Sequence, residues 1–334
     1  MKPSLAAAVI SMLFSIPGST FAGGAVFSKD GSTLYISSIF EKSTLFIVNV
    51  ATRRADQVDL SGVVGKDTDI GTIARSPEGE VLLEAARTIW RWQPGSGDAT
   101  KLPPLPEDFV LDEIGCLEQS PDAALKGAVL LTGVAKDGKD FRFYALVPGR
   151  DAFQPVFVRR LNFVSAQPAF STAGRMFFGG DHDLWEGVVG GVEDARAGTL
   201  TGCRIAPLAL ANTDMGNDGS MGVREVAVAG DRVYSLLRGR HLGAIVSVPM
   251  PPDGRYQKPD GGHPEVAEAY QLMSAELAKA RSVQPTGECD ALAAAMSGGQ
   301  PVVFFRVRGD GIFRWMLVTS HGQPEQIGTE RPPK

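Results

Sequence analysis

Self-similarity along the chain constrains its fold more than any other feature. Asp69-Ile70-Gly71-Thr72-Ile73-Ala74-Arg75-Ser76-Pro77 aligns without gaps on Glu113-Ile114-Gly115-Cys116-Leu117-Glu118-Gln119-Ser120-Pro121, so an acidic residue, Ile-Gly, an aliphatic and Ser-Pro recur at the same offsets. Weaker copies begin at Val26, Ala169 and Leu292, and each runs into a turn with glycine, at Gly31, Gly174 and Gly298. Downstream comes a second signature, an aliphatic-aromatic pair: Leu45-Phe46, Ile89-Trp90, Leu184-Trp185 and Ile312-Phe313. The register repeats too, since Ile89 follows Ser76 at the distance at which Leu184 follows Ser171, and Leu45 follows Ser28 as Ile312 follows Ala295. Recurrence at a fixed spacing means stacked supersecondary units that bury their faces against one another, here about six units of roughly 45 residues.

Within the first unit, residues 25–28, 33–37, 44–50 and 57–60 are β-branched or aromatic runs, punctuated by Lys29-Asp30-Gly31 and by the polar segments 40–43 and 51–54. Four short antiparallel strands per unit is the arithmetic of a propeller blade. Helical repeats of this length would not place glycine turns so often, and a β-sandwich predicts no tandem register. The expected fold is therefore all-β, a β-propeller of about six four-stranded blades over residues 23–334, with one inserted helix. The insertion is expected at about 251–281, where Pro251, Pro252, Pro259 and Pro264 precede Val266, Tyr270, Met273 and Leu277 at helical spacing.

Phe27-Ser28-Lys29-Asp30-Gly31-Ser32-Thr33-Leu34-Tyr35-Ile36-Ser37, followed by Leu45-Phe46-Ile47-Val48-Asn49-Val50, resembles the blade motif of WD40-like propellers of the TolB and YVTN types. As a repeat pattern the resemblance spans nearly all of residues 23–334, and it is sharpest in the first two units. The third departs through 121–125, and the fifth has a short turn at Ala229-Gly230-Asp231. The resemblance implies an architecture shared by scaffolds, binding proteins and enzymes, so function does not transfer with it.

Lys2, the apolar stretch 5–14, Pro17-Gly18 and the small residues Thr20 and Ala22 read as a secretory signal peptide over residues 1–22. No cysteine follows the expected cleavage point, so no lipid anchor is implied, and no other apolar stretch is long enough to span a bilayer. The expected location is periplasmic or secreted. Lys plus Arg number 33 against 38 for Asp plus Glu, a net charge of −5, which argues against nucleic acid as the partner. Cys116, Cys203 and Cys289 leave at least one thiol unpaired and fit no zinc spacing; which of them pair is open.

If Asp69 and Glu113 hold one repeat position, Glu288 joins them, because it precedes Ala295 as Asp69 precedes Ser76. The first strand of a blade lines the central channel, so these three carboxylates are expected at a channel mouth. There they form a solvated acidic rim, bind a ligand's basic group or share a divalent cation. A second candidate is Asp214, Asn217 and Asp218 with Glu225, close to a calcium loop except that Gly216 replaces an oxygen ligand; the alternative is a polar turn. His182 and His241 are flanked by charge but not placed on a first strand, and no catalytic residue is assigned. There is no glycine-rich phosphate loop and no G-x-S-x-G. The functional expectation is a non-catalytic propeller that binds a protein, peptide or small molecule. Its only cofactor candidate is a divalent cation such as calcium. The alternative is a metal-dependent hydrolase or lyase that uses the channel-mouth carboxylates.

Overall fold

The computed structural model describes residues 24–119, 123–138, 141–159, 169–170, 176–179, 183–187, 202–207, 222–238, 243–250, 288–319 and 324–332. The expected leader, the inserted helix, the 214–218 loop and all four histidines lie outside these residues.

Every sheet is a meander of consecutive strands. The first joins β1 (Ala25–Phe27), β2 (Thr33–Ser37), β3 (Thr44–Asn49) and β4 (Ala55–Asp59). The second holds β5 (Ile70–Arg75), β6 (Val81–Ala85), β7 (Thr88–Trp92) and β8 (Ala99–Lys101), and the third β9 (Phe109–Cys116), β10 (Val129–Ala135), β11 (Phe141–Leu146) and β12 (Gln154–Arg159). The fourth contains β13 (Ala169–Phe170), β14 (Met176–Gly179), β15 (Asp183–Gly187) and β16 (Gly202–Pro207), the fifth β17 (Gly222–Ala229), β18 (Arg232–Arg238) and β19 (Gly243–Pro249). The sixth is β20 (Glu288–Ser297), β21 (Gln300–Gly309), β22 (Ile312–Thr319) and β23 (Glu325–Glu330). Among the described residues the only helical pieces are a single turn at Ser61–Val64 and a 3-10 turn at Ala123–Leu125.

The first strand of each sheet meets the first strand of the next: β1 with β5, β5 with β9, β9 with β13, β13 with β17, β17 with β20, and β20 with β1. Inner strands thus surround a common axis, and the chain has a β-propeller architecture. The count differs from the expectation. The propeller arrangement is established for four blades where six are expected, and the count is bounded by the described residues, among which the fifth sheet has three strands and the fourth is described only in its short strands.

Packing between neighbouring sheets explains the strand composition. Val302 to Val307 are buried without interruption, as a strand with a sheet on either side requires, whereas β22 alternates between buried and part-exposed residues. One core joins Tyr35, Leu45, Ile73 and Leu83 between the first two sheets, and another joins Leu82, Ile89, Ile114 and Leu131 between the second and third. Each such aliphatic side chain contributes about 1.5–3 kcal/mol.

Hairpins between second and third strands reveal a local conflict. The β21–β22 turn uses Asp310-Gly311 with φ 55° and 72°, the chemistry that a two-residue turn with both φ positive favours. The β6–β7 turn imposes the same left-handed backbone on Ala86 (φ 50°) and Arg87 (φ 60°). Arg87 has a compensating contact, because its Nη2 donates to the carbonyl of Phe109 at 3.1 Å, while the Ala86 methyl can make no hydrogen bond. Ala86→Asn is therefore expected to stabilise the protein by about 0.5–1 kcal/mol in denaturant unfolding. A loss of stability would show that the turn does not hold this backbone in solution.

Candidate functional site

Four inner strands carry a β-bulge at the same level. The pairing register slips between Ile70 and Ile73 in β5, between Leu111 and Glu113 in β9, between Val223 and Glu225 in β17, and between Cys289 and Ala291 in β20. A bulge adds one residue and re-aims the side chains around it, a device common beside binding sites. The four tetrads Ile70-Gly71-Thr72-Ile73, Leu111-Asp112-Glu113-Ile114, Val223-Arg224-Glu225-Val226 and Cys289-Asp290-Ala291-Leu292 therefore correspond, and Thr72, Glu113, Glu225 and Ala291 share one repeat position.

Hydrogen bonds tie these positions together. The Thr72 hydroxyl donates to a Glu113 carboxylate oxygen, and the Ile114 N–H donates to Thr72 Oγ1 at 3.4 Å. Glu225 accepts the N–H of Leu292 at 2.5 Å, which links β17 to β20. Asp290 accepts the Nε of Arg306 at 2.6 Å, and the Arg306 side chain, fully buried on β21, also lies over the Phe313 ring at 5.4 Å. Glu330 on β23, 5% exposed, completes the group: Arg306 and Asp290 both act on its carboxyl.

Glu113 and Glu225 are only part-buried by accessible surface, and Asp112 is exposed, yet all three are deeply surrounded by protein atoms. These carboxyls thus keep some contact with water while protein packs closely around them. Their electrostatics follow. Burial, helped by Asp112, pushes the Glu113 carboxyl up to about 8 against the pull of Thr72. Burial raises Glu225 well above the usual carboxylate range, and the charges of Glu113 and Asp290 push it the same way against the Leu292 N–H and Arg306. Coupling between Glu113 on β9 and Glu225 on β17 runs across the axis, since β13 lies between them in the ring. Burial also raises Glu330, to about 7. At neutral pH such a wall holds protons on some carboxyls, so it presents both acids and acceptors, and it gains charge when a cation arrives.

The sequence-derived candidates fall in different places. Glu113 lies on the inner strand β9, where its carboxyl accepts the Thr72 hydroxyl. Asp69 stands just before β5 with its side chain 69% exposed and pairs with Lys42 on the surface. Glu288 opens β20 opposite Arg308 in the ladder. The offset has a clear cause: Ser76 N–H bonds Glu80 while Leu117 N–H bonds Ala128, so the β9–β10 connection is longer and Ser76 corresponds to Leu117 rather than Ser120. Asp214, Asn217 and Asp218 lie outside the described residues, and Glu225, on the inner strand β17, accepts the N–H of Leu292 on β20. Among the described residues no three His, Cys, Asp or Glu groups are placed to hold a metal ion. Cys116 is a free thiol that burial pushes up to about 12, against nucleophilic use; the side chains of Cys203 and Cys289 lie outside the description. Sequence reading missed Thr72, Asp112, Asp290, Arg306 and Glu330.

No family model matches the sequence, and no curated protein matches it. Solved structures are similar at low identity. TolB from Acinetobacter baumannii is 14% identical over 70% of this chain and 52% of its own, with a TM-score of 0.46, so this chain spans about half its length. The PQQ-bound aldose sugar dehydrogenase from Streptomyces coelicolor is 16% identical over 77% and 80%, with a TM-score of 0.43. SapL1 lectin in complex with alpha methyl fucoside is 11% identical over 94% and 98%, with a TM-score of 0.49. These are likenesses of architecture, and no activity passes from them to this chain. Among the described residues no helix is long and apolar enough to cross a membrane.

Proposed function

We propose that the protein is an exported propeller, freed of residues 1–22, that binds a ligand at the axial end of its channel without transforming it. On this reading the fourth and fifth sheets complete a six-bladed ring. The ligand is recognised through a cationic group, either a basic side chain or amine of a peptide, protein or small molecule, or a divalent cation. The observation that supports it most is the repeated inner-strand bulge, which brings Thr72, Glu113 and Glu225 to one level where the carboxyls keep access to water. Asp69 and Glu288 then belong to the outer rim, where they steer cations toward the axis rather than bind them.

The reading has a linked consequence. Because Glu113 and Glu225 hold protons in the free protein, binding a cation between them expels protons, and affinity should rise with pH by roughly tenfold per unit for each proton released. Calorimetry with calcium, magnesium, manganese and zinc chlorides and with spermidine, in buffers of different ionisation enthalpy, is expected to show binding with proton release. Glu113→Gln/Glu225→Gln should abolish it while Asp69→Asn weakens it less than about threefold. Absence of heat from all five probes, with unchanged melting, would overturn the cation reading.

The metal-dependent hydrolase reading keeps one specific support: a carboxyl that holds its proton to about 8, as Glu113 does, suits a general acid. It requires a metal ligand set, as does the divalent-cation form of the binding reading, and among the described residues no three such groups are placed together.

A further inference from the structure

The first hairpin of the sixth sheet has the longest strands among the described residues. β20 and β21 have ten residues each and pair out to Ser297 and Gln300, whereas β1 stops after three and β5 after six. From Ala291 to Phe305 this hairpin carries no charged side chain. Near its tip stands Met296, 37% exposed and, with Val110, one of the two large hydrophobic side chains left open to water among the described residues.

Met296 is also where three turns meet. Gly31, in the β1–β2 turn with φ 68°, lies so close to the Met296 carbonyl that a Cβ there would run into it. Gly230, in the β17–β18 turn with φ 60°, comes so close to the thioether that a Cβ would stand 2.9 Å from Sδ, inside the roughly 3.5–4 Å at which carbon atoms touch. The first, fifth and sixth sheets thus share one methionine. Its sulfur rests on the backbone of the fifth, while over a third of the side chain remains in water.

A thioether is soft and oxidisable. When its lone pair attacks the outer oxygen of a hydroperoxide, an S–O bond forms and the O–O bond breaks. Sulfur gives up two electrons, the peroxide takes them, and its other oxygen leaves as water or an alcohol, having taken up the proton of the transferred oxygen. The sulfoxide is larger and strongly polar. Against Gly230 it has no room, so the side chain must turn outward and the β17–β18 turn loses its support. The sheets themselves stay joined, because Ala227, Leu236 and Ile245 pack on Leu292, Val303 and Phe305, and Glu225 still accepts the Leu292 N–H.

We propose that Met296 is an oxidation site, at which a hydroperoxide releases the β17–β18 turn from the sixth sheet while the ring remains closed. The site lies five residues past Ala291 on β20, roughly 17 Å along the strand from the level of Glu113 and Glu225, so it works independently of what these carboxyls bind.

Hydrogen peroxide added to the full chain tests this, with oxidation read by peptide mass spectrometry and local opening by hydrogen exchange. Met296 should oxidise at least about tenfold faster than Met316, which is part-buried against the core between the fifth and sixth sheets. Amides of residues 228–233 should then exchange roughly fivefold faster, while those of residues 81–92 in the second sheet change less than about twofold. Met296→Leu keeps the packing without the sulfur chemistry and should abolish the response. Met296→Gln, polar and of similar length, should reproduce the opening without peroxide. Equal rates at Met296 and Met316, oxidation of Met296 without faster exchange at 228–233, a response that persists in Met296→Leu, or a Met296→Gln chain as protected as the native one would each overturn the proposal; the first two outcomes need no variant to fold.

Discussion

Arg306→Met is expected to destabilise the protein by about 3–5 kcal/mol at neutral pH, and to lower the melting temperature by on the order of 10 °C. Arg306 is the charged side chain with no exposed surface in the channel group, and it bonds Asp290, which is 12% exposed. Glu225 and Glu330 feel the same guanidinium. Methionine fills a similar volume and keeps contact with Phe313, so the loss reports charge rather than a cavity. Removing the cation leaves carboxyls buried without compensation, which costs more than the pair itself is worth. The control is therefore a cycle. In an Asp290→Asn/Glu330→Gln background the same Arg306→Met change should cost less than about half as much. Equal costs in both backgrounds, read by denaturant unfolding, would mean that Arg306 acts through packing alone.

The propeller was legible because its signals are local and repeated. Strand runs, Asp-Gly and Gly-Gly turns and the aliphatic-aromatic pair of the third strand each satisfy one hairpin's chemistry, and their recurrence gives the ring. The site was less legible because bulges and hairpin lengths displace the register. Ser-Pro recurs at 76–77 and 120–121, yet the β9–β10 connection leaves its strand at Leu117, so Thr72 and not Asp69 stands where Glu113 does. A finer signal was present: Leu111-Asp112-Glu113-Ile114, Val223-Arg224-Glu225-Val226 and Cys289-Asp290-Ala291-Leu292 each set a charge between apolar neighbours in a first strand. A charged residue there breaks strict alternation, which an unbulged inner strand would not tolerate. Arg306 and Glu330 carry no such mark. Their burial follows from which sheets meet around them, a tertiary fact that no window of sequence contains.

Glu113→Gln should make the protein more stable in alkali and leave it unchanged in acid. The folded Glu113 carboxyl holds its proton to about 8 where the unfolded chain releases it near 4.5, so the folded state binds the extra proton between those values. Stability linked to this group is therefore complete below about pH 4.5 and declines as pH rises through about 8. The upper bound on that decline is about 5 kcal/mol, and because Glu113 keeps some contact with water, about 2 kcal/mol is expected. Glutamine cannot ionise but still accepts the Thr72 hydroxyl, so the variant should follow the native curve near pH 4 and exceed it by about 2 kcal/mol near pH 9. Glu225 adds to the same slope, since its carboxyl is raised by burial and then by Glu113 itself, and removing one charge relieves the other. The double variant should accordingly gain less than the sum of the singles. A residue that lowers stability at working pH and sits open to a channel is the kind of position where a ligand compensates. Saturating cation should then shrink the gap between native protein and Glu113→Gln at pH 9. Parallel stability curves for the two proteins from pH 4 to 9, with and without cation, would show that Glu113 ionises freely and would remove both the stability effect and its link to binding.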